Sequence, residues 1–158
     1  PVTALEAWQS VALTSRDGHR VSVTGVPAQH GPDGSLDLVG EVTGFALTAP
    51  DRPGVYISGD NASLKVVQTI HRRLGPFGRA ILFAGAARTA LAGGAPLTLT
   101  SAAAAEAVEI LGGPPTVVLH FEGWAHFSEG ADSLRAAFAR RGLTDRLHLP
   151  RPGETIEL

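Results

Sequence analysis

Cysteine is absent from this 158-residue chain, which excludes disulfides, thiolate nucleophiles and cysteine-ligated zinc. A metal would therefore have to be held by His, Asp and Glu. Methionine is absent too, and the chain starts on Pro1; neither is expected of an intact translation product, so further upstream sequence is expected to belong with this chain. Long hydrophobic runs are missing. The longest apolar stretch, near Ala80–Ala87 with Gly85 inside it, falls far short of the roughly 20 residues of a membrane span, and the N-terminus lacks the basic-then-apolar layout of a signal peptide. No membrane span and a cytoplasmic location are the expectations. Lysine is nearly absent as well: Lys65 stands alone among thirteen basic residues, a bias that fits a GC-rich genome better than a chemical need.

What is present describes an ordinary soluble domain. A hydrophobic fraction of 44% with 18% charged residues excludes wholesale disorder, and the length suits one domain with a real core. The net charge of −2 leaves no electrostatic footprint for nucleic acid. The two basic clusters, His71–Arg73 and Arg140–Arg141, sit where the last turns of helices favour positive charge.

From about residue 54 onward strand and helix patterns alternate, which argues for α/β layering. Val55–Ile57, Arg79–Ala84, Thr116–His120 and Leu147–Leu149 read as strands. Between them lie helices over Ser63–Leu74, stopped by Gly75-Pro76; over Ala102–Leu111, with Ser101 able to cap it; and over about Ala131–Arg141. The first fifty residues differ. Val11–Leu13, Arg20–Val26 and Glu41–Thr48 are β-rich, separated by turn signals at Asp17-Gly18 and Pro32-Asp33-Gly34, and read as hairpin-connected strands. The Gly/Ala-rich Gly85–Pro96 reads as a long loop past a strand end, where function often sits.

Three strand-like runs each lead into a residue able to hold a metal: His30, Asp60 and His120. Two imidazoles and a carboxylate suit a divalent ion such as zinc, manganese or iron(II). Each also has a plain reading. His30, framed by Pro27 and Pro32, suits an exposed loop histidine; Asp60 suits a helix N-cap, although Asn61 or Ser63 could fill that role; His120 suits a satisfied core residue. After His120 come Glu122, Trp124, His126, Phe127 and Glu129. The acids read as solvent-facing or capping charges, Trp124 and Phe127 as packing or pocket wall, and His126 as a surface imidazole or a general acid. No His-x-His or His-x-x-x-His pair supplies the further ligands of a two-metal site.

Four segments carry a resemblance to a known family: Val-Thr-Gly-Val-Pro-Ala-Gln-His-Gly-Pro (23–32), Gly-Glu-Val-Thr-Gly-Phe (40–45), Tyr-Ile-Ser-Gly-Asp (56–60) and His-Phe-Glu-Gly-Trp-Ala-His-Phe (120–127). Together they resemble the metallo-β-lactamase-fold hydrolases, in the branch similar to L-ascorbate-6-phosphate lactonase and phospholipase-D-like enzymes. The resemblance implies an α+β fold, with residues 1–158 as the C-terminal half of an αββα sandwich. It implies two divalent ions, zinc or manganese with iron compatible, of which Asp60 bridges both while His30 and His120 complete one each. The family's His-x-His-x-Asp-His signature has no counterpart in this sequence. An N-terminal half, as a separate segment or chain, is therefore the expected partner.

The reading that results is a metal-dependent hydrolase acting on a small-molecule ester, lactone, amide or phosphodiester through a metal-bridging hydroxide. His126 is the candidate acid or charge-stabilising group, Asp60 serves catalysis as well as metal binding, and Trp124 shapes the substrate pocket. The alternative is a metal-free binding or assembly module that kept the fold without the chemistry. Oligomeric state stays open, a homo-oligomer included.

Overall fold

The computed structural model describes residues 2–158. One seven-stranded sheet runs in chain order, β1-β2-β3-β4-β5-β6-β7, formed by Ser10–Thr14, Arg20–Pro27, Thr43–Ala49, Arg52–Ile57, Phe77–Phe83, Thr116–Leu119 and Leu147–His148. The first three pairings are antiparallel and the last three parallel. The Asp17-Gly18 signal closes the β1–β2 hairpin, with Gly18 N–H donating to the Ser15 carbonyl at 3.1 Å. β2 and β3 pair without being a tight hairpin, because a four-residue helix α1, Leu36–Val39, lies between them. α1 is too short to give a periodic hydrophobic signal, so pattern reading passes over it. β3 starts at Thr43 rather than Glu41, and β5 starts at Phe77, before the expected Arg79.

Three helices fill the parallel crossovers: α2 (Leu64–Leu74), α3 (Ser101–Ile110) and α4 (Ala131–Arg140). α2 forms where expected because Ser63 caps it, its hydroxyl accepting from Val66 N–H at 3.4 Å, and its apolar stripe buries Val67 and Ile70. α3 begins one residue early. Its cap is Thr100, whose hydroxyl accepts from Ala103 N–H at 3.1 Å, and Ser101 is the first helical residue. The alanine run 102–105 has a packing reason: α3 lies between α2 and α4, and small side chains let both neighbours approach. Arg141 ties α4 to α3 through Glu106 and Glu109.

The two faces of the sheet have different fates. Alternation sends Ala46, Tyr56, Ala80, Leu82 and Val118 into the core beneath the helices, where all are fully buried. Their neighbours on the opposite face, Phe45, Leu47, Ile57, Ile81, Phe83 and Leu119, are also apolar, yet each stays partly exposed. Phe45 lies beside Ile57 and Ile57 beside Ile81, so these side chains form a continuous apolar surface across β3, β4 and β5. This apolar face begins on the antiparallel strands and extends into the parallel half.

Tyr56 is the largest fully buried side chain, packed against Phe77, and its hydroxyl has no hydrogen-bond partner. Burial pushes the phenol far above its usual value. The folded state keeps this proton at a pH where the unfolded chain, titrating near about 10, has lost it, so stability falls as pH rises beyond that point. Tyr56 is the sole tyrosine, so phenolate absorbance reports it alone. The expected result is a phenolate transition that coincides with loss of circular dichroism, in place of a smooth titration of native protein. Tyr56→Phe should move alkaline unfolding to higher pH and, by removing an unpaired hydroxyl, leave stability at neutral pH unchanged or raised by up to about 1 kcal/mol.

Candidate metal centre

β2, β4 and β6 run in the same direction through the sheet, so the residues that follow their C-terminal ends share one rim. His30, Asp60 and His120 all lie there, three, three and one residues past their strands. The structure brings them together. His30 Nε2 stands 3.8 Å from Asp60 Oδ2, and His120 Nδ1 stands 3.5 Å from Asp60 Oδ1.

Asp60 is not the cap of α2, since Ser63 takes that role. The turn that carries it needs Gly59, whose φ is +58° and whose missing Cβ would lie 2.7 Å from the Thr43 carbonyl oxygen. Fully buried Asn61 ties this turn to the His30 loop: its Oδ1 accepts from Gln29 N–H at 3.1 Å and from Ser63 N–H at 3.2 Å, and its Nδ2 donates to the Ser63 carbonyl at 3.0 Å. Ala62 N–H adds a bond to the Gln29 carbonyl at 2.7 Å. Removing the Asn61 amide would leave buried donors unpaired, at about 1–3 kcal/mol each.

His120 sits at φ +61°, a left-handed conformation that a non-glycine residue holds at a cost of order 1–3 kcal/mol. Its ring is clamped between Phe83, with centroids 5.3 Å apart, and Phe127, at 4.7 Å. Gly85 lets β5 come this close, because a Cβ there would lie 2.4 Å from the His120 carbonyl oxygen. Burial holds the His120 imidazole below its usual pKa; Asp60 opposes that shift, and His126 and His30 reinforce it.

The donor set can be tested against a metal. His30 Nδ1 lies 3.3 Å from the Val39 carbonyl oxygen. A carbonyl only accepts, so Nδ1 carries a proton, and the neutral ring then presents a bare Nε2 lone pair to the Asp60 carboxylate. Two acceptors facing each other across 3.8 Å repel unless a cation lies between them. On the other side, Asp60 Oδ1 and His120 Nδ1 are both buried and both without a hydrogen-bond partner. A carboxylate oxygen and an imidazole nitrogen buried without partners, beside a second imidazole oriented by a backbone carbonyl, fit divalent metal. Among the described residues no three His, Asp or Glu side chains close on a single point as a complete ion site. Asp60 with one histidine on each side offers two donors toward each of two positions, short of the four that a tight zinc site uses.

A cavity of about 490 Å³ opens over this cluster, lined by His30, Asp60, His120, Trp124 and His126 together with Ala87, Arg88, Thr89 and Leu97. A larger cleft of about 690 Å³ lies beyond His30 and touches neither Asp60 nor His120. Trp124 and His126 are thus placed at the site, 5.9 Å apart, without joining the acceptor cluster. His126 is held through its backbone, its carbonyl accepting from Arg88 N–H at 2.9 Å. Glu129 is a capping charge, accepting from Ser101 N–H at 2.6 Å, and Glu122 is exposed. Arg88, Thr89 and Leu97 were not singled out by sequence reasoning. Only the position of the Gly/Ala-rich loop after a strand end pointed to Arg88 and Thr89, and Leu97 follows directly on that loop.

No protein-family model and no curated protein matches this sequence. Solved structures do match. An isothiocyanate hydrolase from Delia radicum gut bacteria superposes with a TM-score of 0.78 at 23% identity, over 92% of this chain and 57% of its own. A possible metal-dependent hydrolase from Veillonella parvula gives 0.79 at 19%, over 93% of this chain and 56% of its own. A metallo-β-lactamase fold protein from Bacillus subtilis gives 0.60 at 13%, over 93% of this chain and 52% of its own. The chain spans little more than half the length of each, and identities this low speak for the fold alone. A mixed seven-stranded sheet with helices on one face, matched over slightly more than half of such proteins, is the fold of about half of a metallo-β-lactamase-type sandwich.

Proposed function

We propose that this chain supplies half of a two-metal hydrolase site acting on an ester, lactone, amide or phosphodiester. The observation that carries the reading is Asp60, a carboxylate set between two imidazoles with its facing acceptors unpaired. Two divalent ions, zinc or manganese with iron compatible, would supply a nucleophilic hydroxide near neutral pH and polarise the scissile group. His30 and His120 would hold one ion each and Asp60 both. The Val39 carbonyl orients the His30 ring, and burial shifts the His120 imidazole toward its neutral form. His126, exposed at the mouth of the cavity, would donate a proton to the leaving group or stabilise developing charge, and Trp124 would wall the substrate.

The ligands still needed would come from a segment carrying the His-x-His-x-Asp-His pattern, seated against the open apolar face of the sheet. That face reaches the site, since Phe83 lies on it and also stacks on His120. In this reading the chain belongs to a domain whose first half is a separate segment or chain.

Calorimetric titration with zinc or manganese tests the ligand set. Asp60→Asn should weaken binding by more than the roughly 10–100-fold typical of losing an outer-shell partner, whereas His126→Ala should keep wild-type metal content. In the assembled enzyme His126→Ala should lower kcat by about 10²–10⁴-fold. A chain that takes up no divalent ion, alone or assembled, would favour a metal-free module.

The covering segment is tested by paired Phe45→Thr and Ile81→Thr substitutions, which put strand-favouring β-branched residues on the open face while making it polar. The chain alone should retain its circular dichroism and melt within a few degrees of wild type. Complementation by the missing half, followed by light scattering and metal uptake, should be lost.

A further inference from the structure

Arg88 is the one arginine or lysine lining the cavity over the candidate metal centre. Two neutral groups hold its side chain: Nε donates to the Ser128 hydroxyl at 3.0 Å, and Nη1 donates to the Gly94 carbonyl at 2.6 Å. Ser128 is fixed in turn, its hydroxyl donating to the Ala86 carbonyl at 2.7 Å. The backbone of Arg88 is pinned as well, bridged to Pro96 and bonded to the His126 carbonyl. A guanidinium carries five N–H donors, so three remain unused here. Among the described residues no carboxylate lies within 4.0 Å of it, so its charge has no counter-ion.

Arg88 is exposed, so water solvates its charge in the free chain and a bound anion could take that water's place. The remaining wall is largely apolar, with Ala87, Leu97 and Trp124. A guanidinium held at two points with donors to spare, beside an apolar wall, suits a carboxylate or phosphate attached to an apolar body.

We infer that Arg88 is the specificity-determining residue of this cavity and that the substrate carries an anionic group, carboxylate or phosphate, apart from the bond to be cleaved. The inference rests on the hydrolase reading only in taking this cavity as the substrate's place. Arg88 then fixes one end of the substrate while the scissile group lies over Asp60 and the two histidines. Neutral substrates of equal size would lack that anchor and bind weakly.

The test is direct binding to the full chain, by NMR titration at fixed metal content, of benzoate, phenylphosphonate and the neutral isostere benzamide. Wild type is expected to bind one or both anions, and Arg88→Gln to bind them about tenfold more weakly, the lower end for losing a charge-assisted contact. Benzamide binding should not differ between the two proteins. Which anion loses more identifies the group recognised, carboxylate or phosphate. Arg88→Lys should recover part of the anion binding, because the charge returns without the fork. Equal weakening of anions and benzamide in Arg88→Gln would make Arg88 a loop staple and overturn the inference, as would anion binding that ignores the substitution. Metal content of the same samples separates the two readings. Anion preference retained in material that takes up no metal supports Arg88 and overturns the hydrolase, whereas metal uptake with no effect of Arg88→Gln overturns the anion site alone.

Discussion

Everything at the rim depends on one electrostatic constraint: Asp60 lies between two imidazoles, and its Oδ1 and the facing His120 Nδ1 are buried with no hydrogen-bond partner among the described residues. The Val39 carbonyl takes the Nδ1 proton of His30, so the neutral ring turns an acceptor toward the carboxylate. His120 is held by Phe83 and Phe127 in a ring geometry that leaves its Nδ1 beside Asp60 but unbonded to it. A protein folding for stability alone would rotate such groups apart or place a donor between them. Here Gly59, Asn61 and the left-handed His120 spend conformational strain and hydrogen bonds to hold them together.

The elements that achieve this were unevenly legible. α2 and α4 were readable because each is a periodic segment stopped by Gly, β4 and β6 because each is a short apolar run, and parallel strands joined by helices must bring their C-terminal ends to one rim. His30, Asp60 and His120 could therefore be grouped as strand-end residues from spacing. The role of Asn61 was not readable, because its value lies in bonds to Gln29, 32 residues away, and local pattern carries no such information. Arg88 was missed for a similar reason. An arginine in a Gly/Ala-rich loop looks like any solvated charge until Ser128 and Gly94 are seen to hold it. Thr100 was displaced as a cap by its neighbour Ser101, since the two hydroxyl residues are equally plausible one position apart.

The two faces of the sheet express opposite solutions to the same alternating pattern. Under the helices, Tyr56 and its neighbours are so tightly enclosed that even a phenol hydroxyl goes unpaired. On the other side, Phe45, Ile57 and Ile81 remain accessible although their sequence is as apolar as that of a core. The strands of the parallel half read as continuous hydrophobic runs, and such runs are characteristic of sheets buried on both faces. The composition of the strands thus describes a sandwich, whereas the chain by itself covers one side of it.

Sheet order follows chain order without exception, each strand pairing with its immediate predecessor. Every added strand finds its template already in place, beside a hairpin or short connection in the antiparallel half and after a helical crossover in the parallel half. The rim that carries His30, Asp60 and His120 is then completed only as β6 docks, late in that progression. In that order β2 and β4 place His30 and Asp60 before β6 brings His120 to the rim, so a chain cut short of β6 would keep the first two positions and lack the third.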